Sequence, residues 1–305
     1  MSSLKEIVHE IMKNNFLYKK NISILVLTDK SKAELSKKFL EALKEDGWNA
    51  QMSEMADRKK SGEEPPKSIA QKMLDFELVF CLTKHSLTHT NARKEANHHG
   101  ISVITMPGIT EDMFLNGAMM ADYLQVEKET NEMAEKLTDC DAVTIYTSDQ
   151  LKLSIPVSKR KGISSTGVFR KKASSGNLPS GEAYIAPIEY EANGQIEING
   201  SIAGIGLLKE PIRLTIENGR LIDATGEVGE RLLQILGDGE GRLLCELGIG
   251  TNYAARVTGN ILEDEKAYQT IHVAFGSNHT FGGTINTNVH IDCVTKNPLI
   301  EWNLT

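Results

Sequence analysis

The sequence predicts an α/β protein in two parts: an N-terminal parallel-sheet α/β domain and a β-rich α+β domain that builds a metal site. Three observations lead there. Over the first 120 residues, apolar strand-like runs alternate with segments of helical periodicity, the pattern of parallel strands joined by crossover helices. A long charged helix, Asp122–Asp139, follows. Beyond it, short β-rich runs recur between Gly, Asn and Pro turns, which suggests a curved sheet or partial barrel. At 305 residues the chain exceeds the usual single domain. The expected division is 1–140, a Rossmann-like α/β domain, and 141–305, the β-rich metal-binding catalytic domain.

The elements follow in order. The opening MSSLKEIVHEIMKNN reads as an amphipathic helix rather than a signal peptide. Asn21–Leu27, Glu77–Leu82 and Ile101–Thr105 are apolar, β-rich runs, while Ser31–Asp46 and Ala92–His99 have helical character. Asp57–Lys67 is a polar, Pro-containing loop. No GxGxxG or Walker signature follows the first strand, so the Rossmann-like pattern carries no nucleotide-binding implication. In the second part the strand-like runs are AVTIYTS, QLKLSIPV, AYIAPIEY, QIEING, IRLTIENG, LLCELGIG, TIHVAFG and NVHIDCV, with one helix, Val228–Leu236, among them.

Composition narrows the function classes. An apolar fraction of 40% and a charged fraction of 25% are those of a soluble globular protein. No apolar run nears the roughly 18 residues that span a bilayer, so no membrane partner and a cytoplasmic location are expected. Cys81, Cys140, Cys245 and Cys293 are scattered without a CxxC pair, which fits reduced, buried thiols. The net charge of −7 comes mostly from an acidic excess in the C-terminal half. The basic stripe that binds phosphate backbones is lacking, which argues against nucleic acid.

The strongest local chemical signal is His290-Ile291-Asp292. In a strand, alternation puts His290 and Asp292 on one face, where they form either a metal-ligand pair or a hydrogen-bonded structural pair. His272 lies in another β-rich run. Glu246 interrupts an apolar strand, and Glu182 opens one after the turn NLPSG. A carboxylate inside an apolar strand is costly to bury unless it is paired or metal-bound. A second cluster, His85-Ser86-Leu87-Thr88-His89-Thr90 before Arg93, stands where an open parallel sheet usually binds ligands, and it equally suits a helix cap.

The runs NLPSGEAYIAP, ELGIGTN, RVTGNILEDEKAYQTIHVAFG, FGGTIN and NVHIDCV, in this order over roughly residues 175–295, resemble the aminopeptidase T and aminopeptidase S metallopeptidases. The resemblance implies a dimeric, cytosolic, two-domain hydrolase acting on short peptides or related small molecules, with two divalent ions (zinc, cobalt or manganese) in its C-terminal domain. It carries metal-ligand roles to Glu182, Glu246, His272, His290 and Asp292. The family's sixth ligand is a tyrosine seven residues after the TIHVAFG histidine, and here that position is His279. An imidazole there still offers a metal donor, but the phenol is lost. Either Glu182 or Glu246 serves as the catalytic general base.

Two other readings remain open. The chain also resembles the 2,5-dihydroxypyridine dioxygenases, mononuclear Fe(II) enzymes with a 2-His-1-carboxylate site. Their third ligand is a histidine at the place of Glu246, so ligand identity favours the hydrolase. A non-catalytic metal-binding protein on the same scaffold is the other reading.

Overall fold

The computed structural model describes residues 3–18, 20–148 and 150–304. The chain divides into two compact units. The first comprises residues 1–127 and 167–180, and the second residues 128–166 and 181–305.

The first unit opens with α1 (Leu4–Asn14), which starts on a capping box: Ser3 Oγ accepts from the Glu6 amide, and the Glu6 carboxylate accepts from the Ser3 amide. Its apolar face buries Ile7, Val8, Ile11 and Met12, the spacing expected of an amphipathic helix. Five parallel strands follow the spatial order β2 (Asn49–Met55), β1 (Ser23–Asp29), β3 (Leu78–Leu82), β4 (Ser102–Thr105) and β8 (Ser175–Asn177). The helices α2 (Ala33–Glu45), α3 (Lys67–Met73) and α4 (Asn91–His98) make the crossovers between successive strands β1 to β4. β3 and β4 are buried along their whole length, which is why they read as unbroken apolar runs. β2 was not anticipated. Its sequence, NAQMSEM, exposes or half-exposes most positions, so it lacks the apolar signal.

The first crossing between the units lies at residues 127–128, where the expected division is at 140. Residues 167–180 return to the first unit, where β8 pairs with β4. The short, polar run Ser-Gly-Asn of β8 gives no strand signal in the sequence.

Helix α5 (Glu111–Asn116) and the long α6 (Tyr123–Thr138) lead toward the second unit. There, two separate sheets replace a single curved sheet or partial barrel. One has the order β14 (Arg220–Ala224), β13 (Ile212–Glu217), β10 (Asn193–Ile198), β6 (Lys152–Pro156), β5 (Cys140–Tyr146) and β18 (Leu299–Leu304). The other runs β12 (Gly206–Leu207), β11 (Ser201–Ile202), β17 (His290–Lys296), β16 (Thr270–Gly276), β15 (Leu244–Gly250), β9 (Glu182–Ile185) and β7 (Ile163–Ser165). Both sheets, α6 and α7 (Gly226–Leu236) feed one apolar core, including Val143, Ile155, Ile196, Leu214, Leu232, Leu247, Ile271 and Val273. A sheet that buries one face in that core leaves its other face free to carry polar groups. All four cysteines are free and buried. No helix among the described residues is long and apolar enough to cross a membrane.

Candidate metal centre

The site follows from the register of four neighbouring antiparallel strands. Glu246 on β15 stands opposite Ala274 on β16, and Ala274 opposite Asp292 on β17. One step along, Tyr184 on β9, Gly248 on β15, His272 on β16 and Val294 on β17 lie side by side. Gly250 faces Glu182, and Gly276 faces His290. Because alternate residues share a face, Glu182, Tyr184, Glu246, His272, His290 and Asp292 all project from one side of the sheet. Gly248, Gly250, Ala274 and Gly276 pave the space between them.

That paving is a steric requirement. A Cβ on Gly248 would come within 2.1 Å of the His272 ring, so the imidazole lies directly over the glycine. Leu247 and Val273, pointing the other way, belong to the apolar core.

The donors form a continuous chain. His272 Nε2 lies 3.2 Å from Glu246 Oε1 and 3.7 Å from Glu182 Oε2. Glu246 Oε2 is 3.4 Å from His290 Nε2, which in turn is 3.3 Å from Asp292 Oδ1. Glu246 thus presents one oxygen to each imidazole, the geometry of a bridging carboxylate. His290 Nδ1 lies 2.9 Å from the Ser277 carbonyl; donating there fixes the tautomer that leaves Nε2 free toward the carboxylates.

Two residues that the sequence did not single out complete the cluster. Glu265 groups with Glu182 and His272, their donor atoms lying within 4.8 Å of one another, as do those of Glu246, His290 and Asp292. Lys266, fully buried, places Nζ 3.0 Å from Glu182 Oε1 and also pairs with Glu265. In the sequence both sit in the charged run EDEKAY, which reads as a solvated surface. In the structure the short helix α8 (Ile261–Asp264) turns this run inward. The burial cost of a lone Lys in the chain would be the only clue, and nothing in its neighbours' spacing reveals it.

His279 stands apart. It is exposed, with Nδ1 2.9 Å from Ser277 Oγ, and it belongs to neither donor group. A phenol does stand elsewhere on this face: Tyr184, two residues after Glu182, is largely enclosed. Burial, and the charges of Glu246 and Glu182, hold its hydroxyl well above the ordinary tyrosine range. Phe281 packs edge-on against both Tyr184 and His290, with ring centroids 5.5 and 6.1 Å away.

The cluster carries an excess of negative charge. Burial, together with the charges of Glu182 and Asp292, pushes Glu265 up to about 8 despite the opposing Lys266. Burial works to lower His272, yet the hydrogen bond to Glu246 and the surrounding carboxylates carry it to about 9. Four carboxylates and two imidazoles converging in this way form the oxygen-and-nitrogen donor set that a divalent ion takes. His272 Nδ1, across the ring from the nitrogen that faces these carboxylates, is buried without a hydrogen-bond partner.

The segment His85–Arg93 takes its capping role in the first unit. Thr90 Oγ1 accepts from the Arg93 amide at the start of α4. Thr88 Oγ1 lies 2.7 Å from Thr105 Oγ1, which donates to Asn177, and Arg93 Nε donates to the Thr88 carbonyl.

No curated protein matches the sequence. The fold is similar to 2,5-dihydroxypyridine dioxygenase from Pseudomonas putida KT2440, with a TM-score of 0.80 at 16% identity over 98% of this chain and 93% of that one. It is also similar to wild-type AmpT from Thermus thermophilus, with a TM-score of 0.70 at 15% identity over 99% and 95%. At such identity both likenesses speak for the fold alone. The sequence itself matches the profile of the thermophilic metalloproteases (M29) over residues 53–289, which take in β9, β15 and β16 and stop one residue short of β17, and on that match the chain belongs to the M29 family of metal-dependent hydrolases.

Proposed function

We propose that this protein is an aminopeptidase-type hydrolase of short peptides, with its metal held by Glu246, His290 and Asp292 and bordered by His272 and Glu182. The observation that carries the reading is the alternation of carboxylate and imidazole donors at 3.2–3.7 Å across four adjacent strands. A bound divalent ion lowers the pKa of its water toward neutrality and polarises a carbonyl. The chain's own residues do the rest. Glu246 has both oxygens engaged with imidazoles and acts as a ligand. Glu182 has one oxygen on Lys266 and the other 3.7 Å from His272, a looser contact than either of Glu246's, and is the better general base: it accepts the proton of the attacking water and returns it to the leaving amine as the C–N bond breaks. Tyr184 stands beside both glutamates and can donate to the oxyanion.

Zinc, cobalt and manganese suit this donor set. We further propose that the protein works as a homodimer in the cytoplasm, which size-exclusion chromatography and fractionation test. His279, exposed beside Ser277, is assigned no ligand role.

The experiment is release of free amino acid from a panel of short peptides, with and without a chelator. Hydrolysis lost on chelation and restored by zinc, cobalt or manganese supports the reading. Glu182→Gln should lower kcat by about 10²–10⁴-fold while metal content stays constant. Oxygen consumption on a dihydroxylated aromatic with Fe(II), and no hydrolysis of any peptide, would overturn the proposal in favour of the dioxygenase chemistry.

A further inference from the structure

We propose that the Lys266 ammonium occupies the position of a second cation, so that each chain takes a single divalent ion, at Glu246, His290 and Asp292. This deepens the metallohydrolase reading and rests on it.

The donors fall into two groups of three, and the groups differ in what already faces them. Glu182, Glu265 and His272 form the inner group. Lys266 Nζ lies among its carboxylates, 3.0 Å from Glu182 Oε1 and paired with Glu265. The ammonium uses the same oxygens that an ion would need. In the outer group, the ion-pair partners of Glu246 and Asp292 among the described residues are imidazoles only.

Lys266 has nowhere to withdraw. Its side chain is 0% exposed, and its segment is fastened to the chain just beyond β15: the Asn252 amide donates to the Lys266 carbonyl at 2.9 Å. A Cβ on Gly250 would lie 2.0 Å from the Ala267 carbonyl oxygen and 2.8 Å from the Lys266 carbonyl carbon, so the backbones are in direct contact there. An ion entering the inner group would strand a buried ammonium without its counter-charges, the situation that makes breaking a buried ion pair costly. It would also face that ammonium as a like charge at contact distance. The outer group is the accessible one, since the His290 ring is 33% exposed. The inner cation is therefore built into the chain, and the outer one exchanges with solvent.

The test is metal stoichiometry of the full-length protein, loaded with zinc, gel-filtered and measured by elemental analysis. One zinc per wild-type chain is expected. Two per chain overturn the inference and leave the metallohydrolase reading standing, whereas none overturns the metallohydrolase reading itself. Lys266→Ala, which frees both the charge and the space, should bind two. A folded Lys266→Ala protein that still binds one also overturns the inference. Should that variant fail to fold, Glu265→Gln decides: the inference requires it to keep its single zinc, because Glu265 serves the lysine, and loss of that zinc refutes it.

Discussion

The two units each gather polar side chains at one place on a sheet, and the two gatherings differ in what remains unsatisfied. Around β3, β4 and β8 the groups are mostly neutral and answer one another: Thr88, Thr105 and Asn177 exchange hydrogen bonds, and Arg93 is spent on a backbone carbonyl and on Asn97 and Ser175. On the face of β9, β15, β16 and β17 the groups are acidic and crowded. Their imidazoles are drawn toward the charged state, and one buried ring nitrogen has no partner. A closed hydrogen-bond network rigidifies the fold, while an open, charge-heavy one calls for a cation. Position at the end of a parallel strand is a weaker guide to function than this difference in satisfaction.

The comparison can be broken most sharply at His290 and Asp292. Replacing both with Ala should abolish stoichiometric metal and bring hydrolysis to background, as read by elemental analysis and amino acid release. Retained metal would move the centre elsewhere. Gly248→Ala comes next. The new methyl group displaces the His272 ring, so metal affinity should drop by about 10–100-fold, the range for disturbed ligand support, and stability by about 1–3 kcal/mol. Normal metal titration in that variant would show that His272 contributes nothing to the centre.

Glu189 offers a smaller effect with a defined pH dependence. It accepts from the Thr284 amide at 2.7 Å, pairs with Arg160 and fastens the loop that carries Phe281. Burial works to raise its pKa, but the hydrogen bonds and Arg160 outweigh burial and lower it. Its stabilisation is therefore fully present above the unfolded value of about 4.3 and disappears as pH falls through the lower folded value. Glu189→Gln should cost about 2 kcal/mol at neutral pH, and its denaturant stability should change less than that of wild type between neutrality and the acid range. Parallel pH profiles would remove Glu189 from the account. Thr88→Val, at the first unit's network, should cost about 1 kcal/mol with metal content and hydrolysis unchanged. A tenfold loss of activity there would erase the contrast between the two sites.

Much of the site was legible because strand alternation converts spacing directly into a shared face. His290 and Asp292, two apart, needed only the strand assignment, and Glu246 stood out because an acidic residue in Leu-Cys-Glu-Leu-Gly-Ile is costly without a partner. Glu265 and Lys266 were hidden for the converse reason: a charged run looks solvated, and only tertiary folding beyond α8 buries it. The Tyr184 phenol escaped notice because an aromatic in a strand reads as core. In the fold, the apolar strands β1 and β3, buried at all positions but Ser23, were clear, while the polar β2 and β8 depend on pairing with neighbours distant in sequence.

The meander of β15, β16 and β17 also has a bearing on how the chain folds. Glu246, His272, His290 and Asp292 all lie within this one run of sequentially adjacent strands, whereas Glu182 arrives on β9 from much earlier in the chain. Contacts local in sequence form sooner than those that close long loops, so these four donors can meet before the sheet is complete. A metal present during synthesis then favours the folded meander by mass action, by about 2.7 kcal/mol when its free concentration is a hundred times the dissociation constant. Metal supply becomes a determinant of how much folded protein accumulates as well as of how active it is.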